Sequence, residues 1–254
     1  MKRRGYSLIE LLVVIGIMTL LLAILLPVVG RVRKMAHSTK CLANLQQWGQ
    51  SCQMYLNGNR GRFFADRQDL TGLTWYELLQ PYNGSVEKTL LCPEASDPGN
   101  QVGSASLAWG PIRTYNSAQP SWQVRGTFVG SYGFNSWLFE HLRQSLPQWW
   151  RDRTIALPAT QSDRIPVLAD CALEWAMPQD TDTPGDLQTP LAPAQPGSQG
   201  KPGALQFMRV YCIDRHDRAV NVLFVDGHAE RVPLAQLWKL KWNNVFTPRE
   251  VTIP

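Results

Sequence analysis

The sequence predicts an α+β protein. It has one long N-terminal helix, membrane-spanning in its first half, packed on a C-terminal antiparallel β-sheet head with loop insertions. Three observations predict this. Twenty residues, Leu11 to Gly30, pass without a charge. Beyond them Cys41, Leu45, Trp48, Cys52 and Tyr55 recur at three-or-four-residue spacing, the period of one helical face. Near the end, Ala219 to Val225 and His228 to Val232 flank Asp226-Gly227, a hairpin signal.

The N-terminal run comes first. At 1.5 Å per residue, twenty residues rise about 30 Å, the thickness of a hydrocarbon core. A basic head, Lys2-Arg3-Arg4, precedes the run, as in exported or membrane-inserted chains. The run is too long for a cleavable secretory signal, and Leu25-Leu26-Pro27-Val28 offers no small-x-small cleavage site. A plain anchor explains the length but not Glu10, a carboxylate that a lipid-embedded helix disfavours by roughly 2.5–3.5 kcal/mol. Pro27 removes one helical hydrogen bond and can kink or loosen the span. The outer half of the helix, residues 31–57, carries the apolar stripe, which calls for a sheet packed against it. Asn57-Gly58-Asn59 ends it.

Residues 1–57 hold seven Lys/Arg and one Glu, a balance of +6. Residues 58–254 hold eighteen Lys/Arg and nineteen Asp/Glu, a balance of −1. The head therefore lacks the basic surplus that would neutralise phosphates, and no nucleic-acid partner is expected. Arg31, Arg33, Lys34 and Lys40 follow the span and suit contact with anionic lipid headgroups.

Within the head, Trp75 to Leu79 reads as a short helix and Thr89 to Pro93 as a buried segment stopped by proline. Ser131 to Asn135 reads as an aromatic-glycine turn, Ser136 to Leu146 as a helix and Ile165 to Asp170 as a strand. Residues 178–204 are rich in proline and glycine and poor in large apolar side chains. They read as a loop or flexible insertion, because they bury too little surface to offset their ordering entropy. Trp238, Leu240 and Trp242 suggest a last helix or docking segment.

The string Lys2-Arg3-Arg4-Gly5-Tyr6-Ser7-Leu8-Ile9-Glu10 resembles the processing motif of type IV prepilins and type II secretion pseudopilins. That motif has a short basic leader, a glycine at the cut, a hydrophobic first mature residue and a glutamate four residues on. The resemblance implies a cytoplasmic leader of residues 1–5, cleaved after Gly5 by a prepilin peptidase/N-methyltransferase that also methylates Tyr6. Residues 6–30 would be the transmembrane half of the helix, and 58–254 a periplasmic head on a single-pass protein of the bacterial inner membrane. Other pilin-like subunits and inner-membrane lipid are the implied partners, with Glu10 answering the free amine of a neighbouring subunit. A paired buried carboxylate persists where an unpaired one does not. The implied function is structural rather than enzymatic, a subunit of a pseudopilus or pilus-like fibre in the periplasm or at the cell surface, for type II-like secretion.

His216, nine further residues and Asp226-Gly227 resemble the H-X9-DG domain near the C-terminus of many prepilin-type proteins. Cys41 to Gln47, Cys92-Pro93 and Ser131 to Asn135 resemble further segments of the same family. As a constellation, His216, Asp226 and His228 suit zinc. The preferred alternative is structural, with Asp226-Gly227 making the turn and His216 hydrogen-bonding across the hairpin to fix it. Asp180, Asp182 and Asp186, with Gly185 between, partly mimic a calcium loop. Pro184 and Leu191 break the pattern, so a solvated acidic loop is preferred.

Five cysteines are present. Cys41 and Cys52 lie about 16 Å apart along a helix and cannot pair with each other. Cys41 or Cys52 with Cys92, and Cys171 with Cys212, are the candidate disulfides, with one thiol left over. Two other readings remain. Trp109, Trp122, Trp137, Trp149, Trp150 and Trp175 would serve a membrane-anchored binding module if exposed, and the core if buried. Cys171 or Cys212 beside His216 would be a thiol–imidazole pair of an anchored enzyme.

Overall fold

A computed structural model describes residues 8–64, 74–96, 103–110, 113–116, 121–124, 128–140, 148–188 and 206–254. The chain divides into two compact units, Met1–His37 and Ser38–Pro254. The elements run in order α1 (Leu8–Gly58), α2 (Trp75–Leu79), α3 (Val86–Thr89), β1 (Arg113–Asn116), β2 (Ser121–Val124) and β3 (Tyr132–Asn135). Then come α4 (Gln148–Arg153), β4 (Pro166–Asp170), β5 (Trp175–Ala176), α5 (Met208–Tyr211), β6 (Ala219–Phe224) and β7 (Ala229–Pro233). A 3₁₀ turn follows at Leu234–Lys239.

The helix α1 continues through Pro27 without interruption. Its apolar window is long enough to span a bilayer, and none of it is buried within the protein. Leu11, Leu12, Ile15, Leu22 and Leu25 all stand exposed. In lipid every polar group must be satisfied internally, and Thr19 donates its hydroxyl to the Gly16 carbonyl at 2.9 Å.

From Cys41 onward the same helix becomes core. Cys41, Leu45, Trp48, Cys52 and Leu56 are buried, whereas Gln46 and Gln50 are exposed. Each large apolar side chain removed from water stabilises the head by about 1.5–3 kcal/mol. Gly49 marks the closest approach. A Cβ there would lie 2.8 Å from Leu223 Cδ1 and 3.2 Å from the Gly227 carbonyl oxygen.

The partner surface is a five-stranded sheet of order β5-β3-β4-β6-β7. The expected sheet was antiparallel. The structure shows a mixed one, because the two-residue β5 runs parallel to β3. Residues 131–135, expected to be a turn, instead supply β3, paired antiparallel to β4. Gly133 is there for packing rather than for turning, since a Cβ would meet Cys171 Sγ at 2.6 Å. Strand β6 is buried along its whole length. Leu223 faces the α1 cluster, while Val220, Val222 and Phe224 face a second cluster with Met208, Tyr211, Trp238 and Trp242. A register shift between Pro166 and Leu168 lets the neighbouring Val167 and Leu168 join the same cluster. β1 and β2 form a separate two-stranded ladder.

Other expectations meet the structure in part. Trp75–Leu79 is a helix, opened by a capping box between Thr74 and Glu77. The helix expected over 136–146 is a 3₁₀ turn at Ser136–Leu138, with residues 141–147 outside those described. The insertion expected at 178–204 is packed in its first part. Asp182 and Leu187 are buried, and residues 189–204 lie outside those described.

Candidate functional site

Gly5 and Tyr6 lie outside the described residues, and Glu10 falls in the first turn of α1. The hairpin motif is resolved in full. β6 and β7 pair antiparallel from Ala219↔Pro233 to Leu223↔Ala229. The loop is one residue longer than a two-residue turn. Gly227 N donates to the Phe224 carbonyl and Phe224 N to that of His228, each at 2.9 Å. Gly227 takes φ +94°, as three-residue hairpin loops require at their last position. Asp226 Oδ1 lies 2.6 Å from His228 Nδ1, and the His228 ring stacks on Phe224 at 4.4 Å. Both Asp226 and His228 are partly exposed on this turn.

His216 does not join them. The nine-residue spacing is the length of β6 with its flanks, so the motif places its histidine and its Asp-Gly at opposite ends of one strand. The trio His216, Asp226 and His228 is therefore not a metal centre. His216, expected to fix the turn, is held by its backbone at the other end of β6. Its N–H donates to the Ala219 carbonyl at 3.1 Å, and its carbonyl accepts from Arg231 Nη2 of β7 at 2.7 Å.

The imidazole is buried in a different company. His216 Nε2 lies 3.2 Å from Asp170 Oδ2 and 3.4 Å from Cys92 Sγ. Cys41 Sγ lies 3.4 and 3.7 Å from the two Asp170 oxygens. One ligand atom each from Cys41, Cys92, Asp170 and His216 falls within 4.8 Å of all the others, and all four residues are buried. The elements bring them together. Cys41 opens the buried stripe of α1, and Cys92 follows α3. Asp170 ends β4, and His216 precedes β6.

A further shell holds these groups. Tyr132 Oη donates to Cys41 Sγ at 3.0 Å, and Asn221 N to Asp170 Oδ2 at 2.8 Å. Arg215 lies wholly buried. It reaches Asp170 Oδ1 at 3.3 Å and donates to the carbonyls of Ser131, Ser104 and Ala105. Burial alone would raise the Asp170 carboxyl, but His216 and Arg215 outweigh burial and hold it below the usual range. Burial would lower His216, and Asp170 and Cys92 overcome that and raise it. Cys41 is pushed well up by burial, by Cys92 and by Asp170. Burial opposes ionisation of Cys92, yet Cys41, His216 and Arg215 together bring it below the usual thiol range.

All five cysteines are free thiols in this structure. Neither Cys41 or Cys52 with Cys92, nor Cys171 with Cys212, forms a disulfide. The thiol beside His216 is Cys92, not Cys171 or Cys212. In the 180–186 segment each of the three carboxylates accepts a backbone amide, and Leu191, the twelfth position of the calcium pattern, lies outside the described residues. Asp182 Oδ2 accepts from Gln179 N and Met208 N, Asp180 Oδ2 from Thr247 N and Asp186 Oδ1 from Gln188 N. The tryptophans are mainly structural. Trp109 and Trp137 are 1% exposed and spend their indole N–H groups on the Tyr132 and Pro178 carbonyls. Trp149, Trp150 and Trp175 are half-buried, and the side chain of Trp122 lies outside the described residues.

Sequence reasoning missed Asp170 and Arg215. Asp170 was read only as the end of a strand, although an acid closing the apolar run Val167-Leu168-Ala169 was a signal for a buried partner. Arg215 beside His216 was a second such signal.

Residues 1–26 fit the family model of the prokaryotic N-terminal methylation motif. No curated protein and no solved structure matches the chain. A prepilin-type N-terminus thus precedes an α+β pilin-like architecture of long apolar helix and C-terminal sheet.

Proposed function

We propose that this protein is a pilin-like structural subunit of a pseudopilus or pilus-like fibre, serving type II-like protein secretion. In this reading a prepilin peptidase/N-methyltransferase cuts after Gly5 and methylates Tyr6. The first half of α1 holds the subunit in the bacterial inner membrane with the head in the periplasm. On assembly the same helix leaves lipid for the fibre core, where Glu10 meets the Tyr6 amine of a neighbouring subunit.

The observation that carries the reading is Gly5, Tyr6 and Glu10 within the matched N-terminal motif. The helix that follows supports it. Its lipid-length apolar surface is exposed on every side within one chain. Such a surface needs lipid or other copies of the helix around it.

The test is mass spectrometry of the mature chain recovered from bacteria that carry a prepilin peptidase. The expected N-terminal peptide begins at Tyr6 and carries one methyl group. A chain retaining Lys2 to Gly5, or cut elsewhere, overturns the proposal.

A further inference from the structure

We propose that Cys41, Cys92, Asp170 and His216 form a closed, four-coordinate zinc site that clips the outer half of α1 to the sheet. The inference is independent of N-terminal processing. Two sulfurs, an imidazole nitrogen and a carboxylate oxygen are a zinc donor set. The sulfurs exclude calcium and magnesium, which take oxygen ligands.

Three of the six donor separations match the edges of a zinc tetrahedron. Zinc bonds of about 2.3 Å to sulfur and about 2.0–2.2 Å to nitrogen and oxygen set tetrahedral edges of about 3.5 Å (S–N), 3.4 Å (N–O) and 3.6 Å (S–O). The structure has 3.4 Å from Cys92 Sγ to His216 Nε2, 3.2 Å from His216 Nε2 to Asp170 Oδ2, and 3.7 Å from Cys41 Sγ to the same oxygen. Every other donor–donor separation is at most 4.8 Å, so closure on the ion shortens the widest by about 1 Å.

The surroundings also fit. Two thiolates, a carboxylate and a neutral imidazole carry three negative charges. Zn²⁺ leaves one, and the buried Arg215 on the other Asp170 oxygen balances it. The Asn221 amide on Asp170 and the Tyr132 hydroxyl on Cys41 orient the ligands as outer-shell partners do. All four ligands are buried, so the site offers no open position for substrate and its role is structural. It ties Cys41 to Asp170 across 129 residues and Cys92 to His216 across 124. Metal binding energy therefore becomes folding energy of the head.

The full chain, purified in detergent under reducing conditions and incubated with zinc, is expected to hold about one zinc per chain after gel filtration. With cobalt in place of zinc it should show the intense visible bands of a tetrahedral ion and a near-ultraviolet thiolate-to-cobalt band. Cys41→Ser and Cys92→Ser should each halve that thiolate band, whereas Cys52→Ser leaves it unchanged. If the serine variants fail to fold, the cobalt spectrum of the unaltered chain decides alone. Two results overturn the proposal. One is a folded, reduced chain, judged by near-ultraviolet circular dichroism, that takes up neither metal. The other is a metal-free chain whose peptide map shows a Cys41–Cys92 disulfide.

Discussion

Asp182 shows how burial and hydrogen bonding compete at one carboxylate. It is 1% exposed. Burial raises its pKa from 3.8 to about 6, against the two amides of Gln179 and Met208 and the charge of Arg209, which favour ionisation. A raised carboxyl binds its proton more tightly folded than unfolded. Its contribution is therefore best below about pH 4, declines as pH rises towards 6, and is level above that. A shift of about two units corresponds to about 3 kcal/mol. Denaturant titrations of the wild type and Asp182→Asn from pH 4 to 7 should show it. The wild type should lose stability relative to the variant between pH 4 and 6, and a pH-independent difference would refute the assignment. At this scale the sequence was only half legible. Cys41, Cys92 and His216 stood out by type, but their shared partner Asp170 lies 129 residues from Cys41. Spacing along one chain cannot report such a distance. Asp226 and His228 are near His216 in sequence but a strand's length away in space.

Among elements, the pairing of α1 with β6 organises the head. Gln53 Nε2 donates to the Val225 carbonyl at 2.9 Å, Ser38 Oγ meets Asn221 Oδ1 at 3.5 Å, and Gly49 faces Leu223 and Gly227 between them. A larger residue at 49 must displace Leu223 or the hairpin backbone. Overpacking of this kind costs about 1–3 kcal/mol. Gly49→Val should lower the thermal midpoint of the head by that equivalent, while Gln50→Val on the exposed face leaves it nearly unchanged. Equal midpoints for the two variants would mean that helix and hairpin are not in close contact. The α1 stripe, the short helix at Trp75 and the β6–β7 hairpin were legible because each declares itself through local periodicity or turn chemistry. β3 was misread because Gly133 mimics a turn residue, and only its packing against Cys171 explains the glycine. The two-residue β5 has no periodicity to read, so the parallel pair that makes the sheet mixed was invisible.

For the molecule as a whole, the division into Met1–His37 and Ser38–Pro254 makes assembly and head stability separable by mutation. Glu10 belongs to the first unit, and the sheet, both hydrophobic clusters and the buried Cys–His–Asp group belong to the second. If Glu10 meets a subunit amine in the fibre, Glu10→Gln leaves that amine in an apolar interior without its counter-charge. Breaking a buried pair by removing one partner costs about 3–5 kcal/mol, roughly two to four orders of magnitude in subunit association. Insertion into the membrane points the other way, because exchanging the carboxylate for a neutral amide relieves part of the roughly 2.5–3.5 kcal/mol that a charge costs in lipid. The variant should therefore accumulate in the membrane at least as well as the wild type. Its head should melt at the same temperature in detergent, and the fibre fraction sheared from cells should all but vanish. This combination separates an assembly defect from a folding or insertion defect, either of which would deplete the membrane pool as well. Fibres at wild-type yield from Glu10→Gln would show that the carboxylate plays no part in packing subunits together, and the motif would then serve processing alone.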